Sequence, residues 1–193
     1  MRIAIFGGSF NPIHIGHTRL AEYIVSNHDC GVDELWLMVT PRNPLKPAVA
    51  MASNSDRLNM ARLACRDIAG VRASDFEMQL PAPWYSIRTL TALAEQYPAD
   101  NFRLVIGADN WLLMDKWKSP EEIVQNFCPI IYPRPGYDID ADNLPEHVTY
   151  LPQAPLTDVS STQIREAIIA EKEIDNMLPT GVGEYIRAHG IYK

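Results

Sequence analysis

The sequence predicts an α/β fold: a single Rossmann-like domain over residues 1–193, with a mostly parallel sheet and helices on both faces. Three observations carry this. Short apolar runs alternate with amphipathic segments along the chain. The first run, Ile3-Ala4-Ile5-Phe6, leads through a glycine-bearing segment into a helical pattern. The chemically informative residues follow strands, at the carboxyl edge where open α/β sheets bind ligands: Gly7–His17 after the first strand, Pro41–Pro47 after the second and Gly107–Asp109 after a later one.

Arg2–Phe6 reads as a buried strand. His17–Asn27 places Leu20, Ala21, Ile24 and Val25 at helical spacing. Glu34–Thr40 is a second strand, and Pro41–Asn54, with its prolines and no periodicity, a long loop of the kind that is uncommon unless functional or disordered. Ser55 or Asp56 is expected to cap a helix running to about Ile68, with Leu58, Ala61, Leu63 and Ala64 inward. Val71–Asp75 is a short strand. Pro81-Ala82-Pro83 breaks the chain before a helix over about Ile87–Gln96. Phe102–Ile106 is a strand ending at Gly107, followed by a short helix near Asp109 and another over about Pro120–Asn126. Cys128–Tyr132 and Val148–Leu151 are the last strands, Ser160–Glu171 and Gly183–His189 the closing helices. No repeat and no linker interrupts the series.

The chain has 193 residues, 47% of them apolar, enough for one full core. No apolar run reaches the roughly 18 residues of a membrane span, and no secretory signal pattern opens the sequence. Cys30, Cys65 and Cys128 have neither zinc nor redox spacing, so reduced thiols and a cytoplasmic setting are expected. A net charge of −7 with no basic cluster argues against nucleic acid as a partner but leaves small anionic substrates open. A homo-oligomer is also left open.

Within Gly7-Gly8-Ser9-Phe10-Asn11-Pro12-Ile13-His14-Ile15-Gly16-His17, the glycines let backbone amides approach an anion. The helix that follows adds free N–H groups and a positive dipole end. His14 and His17, three apart, share a face of its first turn. No lysine completes a P-loop, the spacing is not Gly-x-Gly-x-x-Gly, and no Cys, Asp or Glu stands close enough to complete a metal site. The simpler alternative is a strand–helix turn with two surface histidines. Far along the chain, Ser160-Ser161-Thr162-Gln163-Ile164-Arg165 reads either as a capping box or, with its hydroxyls, free N–H groups and Arg165, as a phosphate clamp.

His14-Ile15-Gly16-His17 matches the His-x-Gly-His signature of the nucleotidyltransferase superfamily, and the chain as a whole resembles the bacterial nicotinate-nucleotide adenylyltransferases. The resemblance is collinear. It runs through Pro44-Leu45-Lys46, Tyr85-Ser86 with Thr89-Leu90, Ile106-Gly107-Ala108-Asp109, Trp117-Lys118, Arg134-Pro135-Gly136, Ser160-Ser161-Thr162 with Ile164-Arg165, Leu178-Pro179, Tyr185-Ile186 and His189-Gly190-Ile191-Tyr192. It implies transfer of the adenylyl group of ATP to nicotinate mononucleotide, giving deamido-NAD and pyrophosphate, with Mg²⁺ bound mainly through the ATP phosphates.

The resemblance implies that His14 and His17 act on the α-phosphate as the catalytic pair, as imidazolium or as a neutral tautomer. Gly7, Gly8, Ser9 and Phe10 would line the ATP site with Gly107, Asp109 and Arg134, and Ser160, Ser161, Thr162 and Arg165 would hold the phosphates. Asn43, Lys46, Tyr85, Ser86, Asp109, Trp117 and Lys118 would meet nicotinate mononucleotide, with Trp117 stacking on the pyridine while Trp36 and Trp111 fill the core. Two positions depart from the common pattern: Leu45 stands where many members carry histidine before the basic residue, and Trp84-Tyr85-Ser86 where many carry Ser-Tyr-Thr. Adenylyltransferases for nicotinamide mononucleotide or pantetheine phosphate, a synthetase-like fragment and a non-catalytic nucleotide sensor are the competing readings.

Overall fold

The computed structural model describes residues 1–41 and 51–193. Six strands, β1 (Arg2–Gly8), β2 (Glu34–Val39), β3 (Val71–Ser74), β4 (Asn101–Gly107), β5 (Ile130–Tyr132) and β6 (Thr149–Tyr150), form one sheet in the order β3-β2-β1-β4-β5-β6. Every pairing among them is parallel. The order reverses between β1 and β4, so their carboxyl ends flank the crevice in which such sheets bind ligands.

Helices α1 (Ile15–Ser26), α2 (Asn54–Cys65), α3 (Ser86–Gln96), α4 (Ala108–Trp111), α5 (Pro120–Phe127), α6 (Ser161–Ile169) and α7 (Val182–His189) connect and cover the strands. Strand residues alternate between two cores because successive side chains leave opposite faces. Ala4, Phe6, Leu35, Leu37 and Val105 join residues of α1, α2, α6 and α7 on one face. Ile3, Ile5, Trp36, Met38, Leu104 and Ile106 join residues of α3 and α5 on the other. Burial on both sides is what permits an all-parallel sheet.

Element order and type follow the sequence expectation, and the differences have local causes. Gly7 and Gly8 belong to β1, paired with Met38 and Val39, so the turn falls on the residues after them. Ser53 caps α2, its Oγ accepting from Asp56 N at 3.0 Å, which puts Ser55 and Asp56 inside the helix. That helix ends at Cys65, not Ile68, because turns over 66–70 lead to Gly70 at φ +74°, where the chain enters β3. β3 stops at Ser74, since Asp75 already flanks a 3₁₀ turn. β5 begins at Ile130 because Cys128 is left-handed, at φ +34°. Strands β1 and β4 extend a residue or two beyond their apolar runs, and β6 is only Thr149–Tyr150. Helices α1, α6 and α7 begin or end a residue or two from the predicted limits, as helix ends commonly do. Trp36 is core at 2% exposure, but Trp111 is half-buried at the edge of its cluster and does not fill the core.

Candidate active site

The segment from Ser9 to His14 leaves β1 and turns into α1. Phe10 takes a left-handed backbone, φ +44°, unusual for a residue with a side chain, and its ring is buried. A Cβ on Gly8 would lie 2.9 Å from that ring, so the second glycine is there to admit Phe10. A Cβ on Gly7 would meet only Thr40 Cγ2 at 3.9 Å, and the residue is exposed at the sheet edge.

His14 caps α1 with an imidazole in place of the usual hydroxyl or carboxylate. Gly16 N–H donates to His14 Nδ1 at 3.2 Å, and His14 N–H donates to His17 Nδ1 at 3.2 Å. Each Nδ1 therefore accepts, and each neutral ring carries its proton on Nε2. The two rings overlap, centroids 3.7 Å apart and 34° between planes. Phe10 meets His17 edge-on at 5.0 Å, with Phe6 at 6.0 Å. Burial in this aromatic surround, with the Arg134 charge adding to it, holds His14 at about 4. Burial pushes His17 well below the ordinary histidine range, aided by His14 and Arg134. Both rings are thus neutral near pH 7, each with one N–H to give. Gly16 completes the arrangement: a Cβ there would strike Thr157 Oγ1 and lie 3.0 Å from the His14 ring.

The cleft containing His14 and His17 is also lined by Tyr132, Arg134, Leu156, Thr157, Ser160 and Ser161. Arg134 sits in a turn with Pro135 and Gly136 at its centre, Gly136 at φ +82°, the residue pattern of a type II turn. Its Nε stands 3.5 Å from Asp109 Oδ1. Gly107 makes room for that pair, since a Cβ there would collide with Asp109 Oδ1 and come within 3.1 Å of Arg134 Nε.

Ser160 forms the capping box of α6: its Oγ accepts from Gln163 N at 3.2 Å, and Gln163 Oε1 accepts from Ser160 N at 2.8 Å. Ser161 Oγ donates to Pro12 O at 2.8 Å, while Arg165 Nη1 donates to Asn11 O at 2.8 Å and its Nη2 to Thr162 Oγ1 at 3.1 Å. The segment is both cap and neighbour of the loop that leads to His14. Neither α1 nor α6 has an acidic residue in its first turn, so both positive dipole ends stay uncompensated beside the cleft.

Tyr85 and Ser86 open α3, which no side chain caps and whose first turn holds no acidic residue. Tyr85 is half exposed, at 48%. Trp117 is half-buried against the core on the α3 and α5 face, opposite the face on which α1 packs, and Lys118 beside it is exposed. The cleft thus gathers His14, His17, Arg134, Ser160 and Ser161, while Gly107 and Asp109 join it through Arg134. Tyr85, Ser86 and Trp117 belong to the second face. Asn43 and Lys46 lie outside the described residues, as does Leu45.

Sequence reasoning passed over Arg57. Its guanidinium is fully buried and donates to Ser9 O at 2.6 Å, Thr40 O at 2.8 Å and Asn54 Oδ1 at 2.6 Å, which ties α2 to the ends of β1 and β2. The signal was available: Arg57 shares the i, i+4, i+7 face of Ala61 and Ala64. Tyr132 and Thr157 carried no such signal.

A Rossmann-type parallel sheet whose first helix presents paired imidazole donors to a cleft with a cation and a second uncompensated helix end has the equipment of a nucleotidyltransferase. A family model described as Cytidylyltransferase-like matches residues 5–167. The "Probable nicotinate-nucleotide adenylyltransferase" of Bacteroides thetaiotaomicron is 42% identical over 189 residues, 98% of this chain and 92% of the relative. That of Flavobacterium psychrophilum is 39% identical over 194 residues, the full length of both. The chain belongs to the cytidylyltransferase-like family and, within it, to the nicotinate-nucleotide adenylyltransferases. Plasmodium falciparum nicotinic acid mononucleotide adenylyltransferase complexed with NaAD superposes with a TM-score of 0.78 over 99% of this chain and 97% of that one; at 22% identity this speaks for the fold.

Proposed function

We propose that the protein transfers the adenylyl group of ATP to nicotinate mononucleotide, releasing pyrophosphate and forming deamido-NAD. The observation that carries the reading is the capping arrangement of His14 and His17, which occupies each Nδ1 and leaves an Nε2–H donor on two residues that line one cleft. In the reaction a 5′-phosphate oxygen of the mononucleotide bonds to the α-phosphorus of ATP, and the bond from that phosphorus to the bridging oxygen of pyrophosphate breaks. The attacking oxygen is already anionic, so no general base is needed. Catalysis reduces to alignment and to neutralising charge on the α-phosphate oxygens.

His14 and His17 donate to those oxygens, and preset neutral donors reorganise little as charge develops. The free N–H groups at the start of α1 and α6, with Arg165 and Thr162, hold the remaining phosphates. Gly7, Gly8, Ser9 and Phe10 lead into this site and shape the loop that carries His14. Arg134 lies along the adenine and Asp109 takes ribose hydroxyls between the two substrates. The substrate is the magnesium complex of ATP. The ion would be held mainly by the triphosphate oxygens and water.

For the second substrate, Trp117 offers a flat face to the pyridine, with Lys118 nearby, and Tyr85 and Ser86 bring the uncapped start of α3 to the ring's substituent. A positive helix end favours a carboxylate over a carboxamide, which is why nicotinate is preferred to nicotinamide. Asn43 and Lys46, outside the described residues, are assigned to nicotinate mononucleotide by the sequence resemblance.

Pyrophosphate release from ATP and Mg²⁺, followed with either mononucleotide, tests this reading. Faster release with nicotinate mononucleotide is expected. Release with neither would leave a nucleotide sensor, and faster release with the amide would overturn the substrate assignment. His17→Ala should fold normally and lose about a hundred-fold or more in kcat, the range found on removing one oxyanion donor.

A further inference from the structure

Among the described residues, three segments remote in sequence bond to the loop that carries His14. Arg57 of α2 donates to Ser9 O, and Arg165 and Ser161 of α6 donate to Asn11 O and Pro12 O. The third segment is the turn after α7, and nothing in the proposed reaction uses it. Gly190, at φ +60°, ends that helix, and Tyr192, itself left-handed at φ +70°, folds back so that its ring is buried. Its hydroxyl donates to Asn11 Oδ1 at 2.7 Å, across 181 residues of sequence. The same Oδ1 accepts from Ala52 N at 3.0 Å. One buried amide oxygen thus gathers the end of the loop after β2, the loop after β1 and the turn after α7.

We propose that Tyr192 is a positioning residue for adenylyl transfer, acting through Asn11 on the segment that sets the His14 and His17 rings. The reading rests on the adenylyltransferase assignment above. Three features support it. The hydroxyl bonds the side chain of Asn11, whose own carbonyl Arg165 grips and which stands three residues before His14. The segment it steadies contains Phe10 in a conformation that persists only where surroundings over-determine it. Burial raises the Tyr192 pKa, so its hydroxyl is a donor throughout the working range of the enzyme. Asn11 Oδ1 keeps Ala52 as a partner when the hydroxyl is removed, so the change is one of aim rather than of folding.

The test is Tyr192→Phe in the pyrophosphate-release assay, with thermal unfolding measured alongside. The expected result is a loss of about ten- to a hundred-fold in kcat, KM for ATP within about two-fold of the parent, and a cooperative melt. Replacing Tyr192 by 4-aminophenylalanine, which keeps a donor at the ring's para position, should restore kcat. In an Asn11→Ala background Tyr192→Phe should add nothing. A folded Tyr192→Phe enzyme with parental kcat, or an effect undiminished in the Asn11→Ala background, would overturn the proposal. If the phenylalanine variant does not fold, the 4-aminophenylalanine protein decides: parental kcat supports the proposal and a folded, slow enzyme overturns it. A parent that releases no pyrophosphate from either mononucleotide defeats the adenylyltransferase reading itself, whereas an active parent with an indifferent Tyr192→Phe defeats this inference alone.

Discussion

At the residue scale, the site depends on which imidazole nitrogen is left free. The sequence placed His14 and His17 on one face but left imidazolium and neutral ring equally open, because protonation depends on burial and on partners contributed by the backbone. The capping geometry answers it: a protonated Nδ1 would face an N–H rather than an acceptor. The pH dependence follows. With His14 at about 4 and His17 also lowered, kcat/KM should stay level as pH rises through 6.5, whereas a requirement for imidazolium would make it fall there. Stability carries the opposite limb. The unfolded chain binds protons below pH 6.5 that the folded pair refuses, so stability is lost as pH falls from 6.5 toward about 4. Urea midpoints across that interval should drop, and His14→Gln should flatten the slope. Gly16→Ala is the companion test. Helix propensity alone would make it stabilising by about 1 kcal/mol, yet its methyl group would press on the His14 ring. It would also collide with Thr157 Oγ1, so a lowered Tm with a large fall in kcat is expected; parental kcat would show that the ring has room to move.

At the element scale, the parts best read from sequence were those with a local cause. Strand β1 follows from a run of apolar residues, and α6 from Ser160 and Gln163 three apart. What was misplaced had a cause elsewhere in the chain. The start of α2 was assigned to Ser55 or Asp56, because both cap residues and Ser53 lie within three positions and only the path of the chain selects among them. Arg57 was passed over because a cation on an inward face makes sense only once the carbonyls of Ser9 and Thr40 converge on it. No carboxylate answers its charge among the bonds it makes. Arg57→Met should therefore leave three acceptors without their donor and cost about 1–3 kcal/mol, measurable as a shift of the urea midpoint. A loss under about 1 kcal/mol would mean that water replaces the guanidinium.

At the scale of the whole molecule, the parallel sheet was legible because its alternation of apolar run and amphipathic segment is long and regular. The strand order was not, since it is written in pairings between distant segments. Nor was the separation of the candidate residues between two faces: Trp117 packs against the core under α3 and α5, whereas the His17 ring meets Phe6 and Phe10 of the other core. Trp111 was expected inside for the same reason, a face assignment that spacing in a short helix cannot make. The Asp109–Arg134 ion pair bridges the ends of β4 and β5, strands that neighbour each other in space although the two residues are 25 positions apart.

The connection between β5 and β6 is exposed along most of its length, from Arg134 through His147. It divides the chain so that the imidazoles stand before it and Ser160–Arg165 after it, with hydrogen bonds from Ser161, Arg165 and Tyr192 among those that join the parts, at Pro12 and Asn11. Exposed connections of this kind are where chains tolerate nicking and insertion. The molecule is accordingly laid out as a complementation pair: cut in that loop, neither fragment holds a whole site, and turnover regained on mixing counts the chains that have reassembled.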